Sequence, residues 1–241
     1  RVVLGAIFLY ATLGASAALI GWLVVRYDLY EREPIGLLGI ATGLGAAAMF
    51  GVGQLQLAVI RACHGAGERL GNVELALLAG TSEELAKLAV VALAAVWFRR
   101  AFNEPIDGLI YGSFAGLGAA VEESIAVLSD AMPLAVLPAQ EPVRLAGHLV
   151  MGGIGGFGVG FAAVGARRAI LGAAACLVGA MALHTLWDIV AFGAADAYRA
   201  AGRTHPWHTA AAIALMLGGM VVYRSMVTMG GRTFERMNGG G

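Results

Sequence analysis

The sequence predicts an all-α fold, a polytopic bundle of about seven transmembrane helices, and three observations carry that expectation. Apolar residues make up 59% of the 241 residues and charged residues only 13%, where soluble domains carry roughly 25% charge. Mean hydropathy is +0.77. Apolar stretches close to the ~20 residues that a helix needs to cross the hydrocarbon core recur along the whole chain.

In chain order these stretches are residues 2–25, 35–60, 73–98, 107–129, 143–166, 169–192 and 207–223, the last being short. Polar or Pro-bearing connections separate them, and none is long enough to fold alone. Residues 1–229 are therefore expected to form a single transmembrane helical domain, with a site in the helices between 73 and 192. Residues 230–241 read as a flexible Gly-rich tail. In the first stretch, Ala15-Ser16-Ala17 imitates a signal-peptide cleavage site, but apolar sequence continues to Val25, so a retained anchor is expected. A start at Arg1 without Met implies that N-terminal residues are missing.

Formal net charge is zero, so no basic surface points to nucleic acid. Cys63 and Cys176 have neither metal-ligand nor disulfide spacing. The 36 glycines suit close helix packing in lipid. Gly152-Gly153-Ile154-Gly155-Gly156-Phe157-Gly158-Val159-Gly160 resembles a nucleotide loop only superficially. It lies inside an apolar span, with no strand before it and no Lys after it, so it reads as a helix-packing face and no nucleotide is expected.

Arginine distribution sets the expected orientation. Arg26, Arg32, Arg99, Arg100, Arg167, Arg168, Arg224, Arg232 and Arg236 fall on one side, nine in all, and Arg1, Arg61, Arg69, Arg144, Arg199 and Arg203 on the other, six. The excess puts the C-terminus in the cytoplasm of a multi-pass integral membrane protein.

A charged residue at the bilayer centre costs ~2.5–3.5 kcal/mol, which makes each one a functional hypothesis. The third stretch holds Glu83, Glu84 and Lys87, the fourth Glu122 and Glu123, the fifth His148, and the sixth His184 and Asp188, while the first two hold no ionisable group. At ~1.5 Å rise per residue, Glu83, Glu123, His148 and His184 lie ~15, ~9, ~8 and ~12 Å from the same membrane face, in one half of the bilayer. By the arginine excess that half is extracytoplasmic. Lys87 can reach Glu83 at i,i+4 or Glu84 at i,i+3. His184 and Asp188 are also i,i+4, so Asp188 can accept from one ring nitrogen and fix the tautomer. Of Glu122 and Glu123, one is expected to face the site while the other pairs locally or snorkels. This constellation suits a carboxylate that activates water; the plain alternative for each element is a structural ion pair or a buried histidine.

At these residues the sequence resembles the PrsW family of intramembrane proteases, relatives of the CAAX-prenyl-protease and bacteriocin-processing membrane enzymes. The family's E-E-x-x-K appears as Glu83-Glu84-Leu85-Ala86-Lys87. Its F-x-E-P-x-D-G-x-x-Y-G appears as Phe102-Asn103-Glu104-Pro105-Ile106-Asp107-Gly108-Leu109-Ile110-Tyr111-Gly112. Gly116-Leu117-Gly118-Ala119-Ala120-Val121-Glu122-Glu123-Ser124 matches the next block, with Ala119 in place of Phe and Ser124 in place of a common Asn. Counting from Gly118 favours Glu123 as the matching acid. His148 and the closing pair His184 and Asp188 follow in order, and Tyr30-Glu31-Arg32-Glu33-Pro34 is similar to the family's early acidic-Pro segment.

The resemblance implies hydrolysis of a peptide bond in a membrane-anchored protein, of the anti-sigma-factor type, in a bacterial plasma membrane. It also implies catalytic roles among Glu83, Glu84, Lys87, Glu123, His148, His184 and Asp188. In one version Glu83 or Glu84 activates water, helped by Glu123 or His148, and His184 stabilises the oxyanion. In another, Zn²⁺ sits on His148, His184 and a carboxylate, Glu123 or Glu84, with a remaining Glu as base. No H-E-x-x-H is present. Two rival classes use the same residues differently: a proton- or cation-coupled transporter, and a non-enzymatic scaffold binding through its glycine faces. The absence of a repeated charged motif and of a polar path in the first two stretches speaks against the transporter.

Overall fold

The computed structural model describes residues 2–26, 32–64, 70–130, 136–165 and 169–238. Among them are seven α-helices and no strand: α1 (Val2–Arg26), α2 (Ile35–His64), α3 (Asn72–Trp97), α4 (Pro105–Asp130), α5 (Gln140–Ala163), α6 (Ala169–Ala201) and α7 (Pro206–Asn238). By length and composition α1, α2, α5, α6 and α7 are apolar enough to cross a membrane. The other two, α3 and α4, are 26 residues each, so they reach ~39 Å and can cross the same ~30 Å core. They fall short in composition, and they are the helices that carry the paired carboxylates.

Local chemistry explains where the helices begin and end. Before α3 the Gly71 N–H donates to Glu74 Oε2 at 3.0 Å. Pro105 opens α4, where no N–H is needed, and Asp107 Oδ2 accepts the N–H groups of Asn103 and Glu104 at 2.8 and 2.7 Å. Gly165 follows α5 and Gly202 follows α6 with φ of 69° and 67°, the left-handed conformation glycine supplies after a helix.

Two glycine rows set the register at the bundle centre. A Cβ added at Gly108, Gly112 or Gly116 of α4 would collide with Gly156 O, Gly152 O or His148 O of α5, and one at Gly156 or Gly160 would collide with Gly108 O or Pro105 O. The spacing of four on both antiparallel helices lets backbone lie against backbone, which is how helices associate where lipid removes the hydrophobic driving force. This is the packing role expected of the run from Gly152 to Gly160. Similar crossings join α2 to α4, at Gly45 against Ala115 O and Gly118 against Thr42 O, and α3 to α6, at Gly80 against Thr185. Helix α5 is buried along most of its length, whereas α1 and α7 expose large side chains such as Val3, Phe8, Leu217 and Val221, as lipid-facing helices do.

At the opposite end of α4 from Glu123, Tyr111 donates to buried Glu33 at 2.6 Å, and its ring lies 5.0 Å from that of Phe102. The motif residues Phe102, Asp107 and Tyr111 thus brace the start of α2 and α4. Of the early acidic-Pro segment, Tyr30 and Glu31 lie outside the described residues, as do Arg1, Arg69, Arg167, Arg168 and residues 239–241 of the tail. Two helices overrun their expected spans. Helix α6 continues to Ala201 and α7 to Asn238, because an apolar run marks where a helix leaves lipid and not where the helix ends; α6 stops at Gly202, whose φ is 67°. The residues before 239, expected as loose tail, are therefore helical.

Candidate active site

The two crossings at Gly80–Thr185 and Gly116–His148 bring α3, α4, α5 and α6 together at one level. There Glu83, Glu84, Lys87, His148 and His184 are all buried, and the His148 and His184 rings meet edge to face at 4.9 Å between centroids. Every ionisable residue that the sequence placed in this layer is found in it.

Their partners divide into two branches. Lys87 Nζ donates to Glu84 Oε1 at 2.6 Å, and His184 Nδ1 lies 2.7 Å from the same oxygen. A carboxylate holding an ammonium acts as acceptor, so His184 donates from Nδ1, and in the neutral ring Nε2 then carries the lone pair. That Nε2 faces Glu83 Oε2 at 3.6 Å and Asp188 Oδ2 at 3.5 Å. Sequence spacing gave Asp188 the task of fixing the tautomer. The closer partner is Glu84, which reaches across from α3, and Asp188 stands on the open side of the ring. In the second branch, Glu123 Oε2 lies 3.1 Å from His148 Nε2 and Glu123 Oε1 lies 3.2 Å from Arg144 Nη1. Glu123 is therefore the acid of its pair that reaches the histidines, and Glu122 faces the adjoining cavity.

One donor set converges. Glu83, His148 and His184 each offer a ligand atom, and these atoms lie within 4.8 Å of one another. Around the site, Glu83 Oε2 and His148 Nδ1 are buried without a hydrogen-bond partner, as are Glu123 Oε2, Arg144 Nη1 and Glu141 Oε1. With His184 neutral, its Nε2 lone pair and the two carboxylate oxygens it faces are all acceptors, a set that a cation would satisfy. Two imidazoles and one carboxylate fit a divalent transition metal with a coordination position left open. The carboxylate that joins the histidines is Glu83. Glu84 and Glu123, the sequence candidates for that place, lie outside this group of three: Glu84 accepts from His184 Nδ1 at 2.7 Å, and Glu123 Oε2 lies 3.1 Å from His148 Nε2.

Beside the cluster lies a cavity of about 460 Å³, reached by Glu83, Glu122, Glu123, His184 and Asp188 and closed on the far side by Met49 to Ile60 of α2. Gln54 and Gln56 belong to that wall, and Gln56 Nε2 donates to Ser82 Oγ at 2.8 Å. The expectation that the second stretch carries no polar path is corrected here: its two glutamines, uncharged and so passed over by a search for ionisable groups, face the site. Arg144 and Glu141 were missed as well, although Glu141, Arg144 and His148 share one helical stripe at i, i+3 and i+7.

Comparison with curated proteins and with solved structures gives no match. Residues 33–222, from the buried Glu33 through all the site residues to α7, match the family described as PrsW family intramembrane metalloprotease. With that match over most of the chain, the protein belongs to the PrsW family and is an integral-membrane protease.

Proposed function

We propose that the protease hydrolyses a peptide bond of a membrane-anchored protein at this cluster, with Glu83, His148 and His184 holding a divalent metal, Zn²⁺ by the chemistry of the donors. The convergence of three buried donors beside a cavity carries the proposal. A metal so held supplies Lewis-acid polarisation and a more acidic water. The protein's own groups do the rest. Glu84, fixed by Lys87, orients His184. Glu123 touches His148 and borders the cavity, so it is the carboxylate placed to take the proton of the attacking water and return it to the leaving amine. Asp188 borders the cavity beside His184 and adjusts that ring. The substrate chain lies in the cavity between these residues and α2. By resemblance it is an anti-sigma-factor-type protein of a bacterial plasma membrane, and the arginine excess puts the cut in the extracytoplasmic half and the C-terminus in the cytoplasm.

A second reading draws on Glu83 bordering the cavity itself: Glu83 activates water directly and His184 stabilises the oxyanion, without metal. Metal analysis of the detergent-purified protein, paired with cleavage of a membrane-anchored peptide, separates the two. The expected outcome is about one metal per chain, depleted in Glu83→Gln, with cleavage down ~100-fold or more. Full cleavage after exhaustive chelation, with no metal detected, selects the second reading. Normal cleavage by Glu83→Gln at wild-type expression removes both.

A further inference from the structure

We infer that Arg144 is a positioning residue for the cleavage reaction, acting through Glu123 on His148. The inference rests on the proposed site and adds to it a residue outside the donor set. Arg144 Nη1 lies 3.2 Å from Glu123 Oε1 while Glu123 Oε2 lies 3.1 Å from His148 Nε2. Each oxygen of this carboxylate thus faces a partner at ion-pair distance, although Glu123 Oε2 and Arg144 Nη1 are buried without a formed hydrogen bond, so the carboxylate is held by charge and stays free to accept a proton. That matters because the Glu123 side chain is about one third exposed and borders the cavity. With only His148 to hold it, an anion there would turn towards the open space.

Arg144 has a second, longer ion-pair contact. Its Nη2 lies 3.6 Å from Glu141 Oε1, and Glu141, fully buried, accepts from Ser124 Oγ at 2.6 Å through its other oxygen. Ser124 is the neighbour of Glu123 on α4, so the chain Ser124, Glu141, Arg144, Glu123 closes a loop between α4 and α5. A hydroxyl suffices at 124 because the one task there is to donate to Glu141. The guanidinium at 144 must point two nitrogens at two carboxylates, which a lysine ammonium on a flexible stem does poorly.

The test compares wild type, Arg144→Gln, Glu123→Gln, the double variant, and Arg144→Lys. Its readouts are kcat and KM on a membrane-anchored peptide, the visible absorption of Co²⁺ added to metal-stripped protein, and the thermal unfolding midpoint in detergent. Arg144→Gln is expected to lower kcat about 10–100-fold, the usual effect of losing an outer partner of a site histidine. KM should stay nearly constant and the Co²⁺ bands should move. If Arg144 works through Glu123, the double variant is no worse than Glu123→Gln alone, because coupled residues are not additive. Arg144→Lys should recover only part of the loss. Multiplicative losses in the double variant, a rise in KM at constant kcat, or a Co²⁺ spectrum unchanged in Arg144→Gln would each overturn the inference. If Arg144→Gln fails to fold, Ser124→Ala removes only the outermost hydrogen bond, and unchanged kcat and Co²⁺ bands in it and in Arg144→Lys overturn the inference as well. Wild type that neither cleaves nor takes up Co²⁺ would instead refute the site.

Discussion

Two branches of the same chemical form, cation to carboxylate to imidazole, converge on the centre of this protein, and they differ in what surrounds them. In the branch from α3 to α6, the Lys87, Glu84 and His184 side chains are 3%, 1% and 2% exposed, with contacts of 2.6 and 2.7 Å. In the branch from α5 to α4, Arg144 and Glu123 are 20% and 34% exposed, and the contacts stretch to 3.2 and 3.1 Å. A sealed ion pair has no water to fall back on, so breaking it leaves a bare buried charge. An open pair can be rehydrated when one of its members is lost. The sealed branch thus reads as frame and the open one as working edge, although the residue types are alike.

The sharpest way to break that contrast is Lys87→Met. It removes the cation while leaving the Glu84 carboxylate enclosed, and losing one partner of a buried pair costs ~3–5 kcal/mol. The variant is expected to accumulate poorly in the membrane and to unfold at a clearly lower temperature in detergent. Adding Glu84→Gln should restore part of the stability, since the double change leaves no uncompensated charge. A Lys87→Met protein with the wild-type midpoint would show that the sealed branch is no electrostatic frame.

Much of this was legible in the sequence, and the boundary of what was not has a physical cause. Apolar runs gave the all-α bundle because lipid allows a lone segment only one way to satisfy its backbone. Charge in an apolar run exposed Glu83, Glu84, Lys87, Glu123, His148 and His184, and the common depth followed from helical rise alone. Hidden were the pairings across helices. Glu84 rather than Asp188 takes the near nitrogen of His184 because the Gly80–Thr185 crossing draws α3 against α6 there. Spacing along one helix carries no trace of that approach. The glycine rows were readable as packing faces, but not which row meets which. Arg144 was overlooked for another reason: four residues before His148, close to the start of its helix, it reads as a loop charge that only reports topology.

A smaller effect is expected at Asp188, and it tests which acid holds His184. With Nδ1 already committed to Glu84, Asp188→Asn should leave the fold and the measured metal content unchanged and lower cleavage by no more than about tenfold, the low end for an outer partner of a site histidine. His184→Ala should abolish cleavage. If both variants are equally damaging, and proton-coupled flux into liposomes depends on both residues while no membrane-anchored peptide is cut, the pair is a proton relay and the protease assignment of this site fails.

The smallest effect is expected at the cavity wall facing the open branch. Gln56 Nε2 donates to Ser82 Oγ at 2.8 Å, and Ser82 Oγ donates to Leu78 O at 2.6 Å. Gln56→Leu therefore removes one interhelical hydrogen bond and leaves Ser82 with a partner. Such bonds average ~0.6 kcal/mol within membranes, so stability should fall by about that much. Gln56 also lines the cavity in which the substrate chain is proposed to lie. A wall contact made equally with bound substrate and transition state changes KM and not kcat, and ~0.6 kcal/mol corresponds to about a threefold rise in KM. Steady-state cleavage of a membrane-anchored peptide by Gln56→Leu measures it. A fall in kcat at constant KM would mean that α2 reaches the reacting bond through Ser82 and Glu83. The working edge would then extend from the open branch to the α3 residues beside the sealed one, and the contrast between the two branches would weaken.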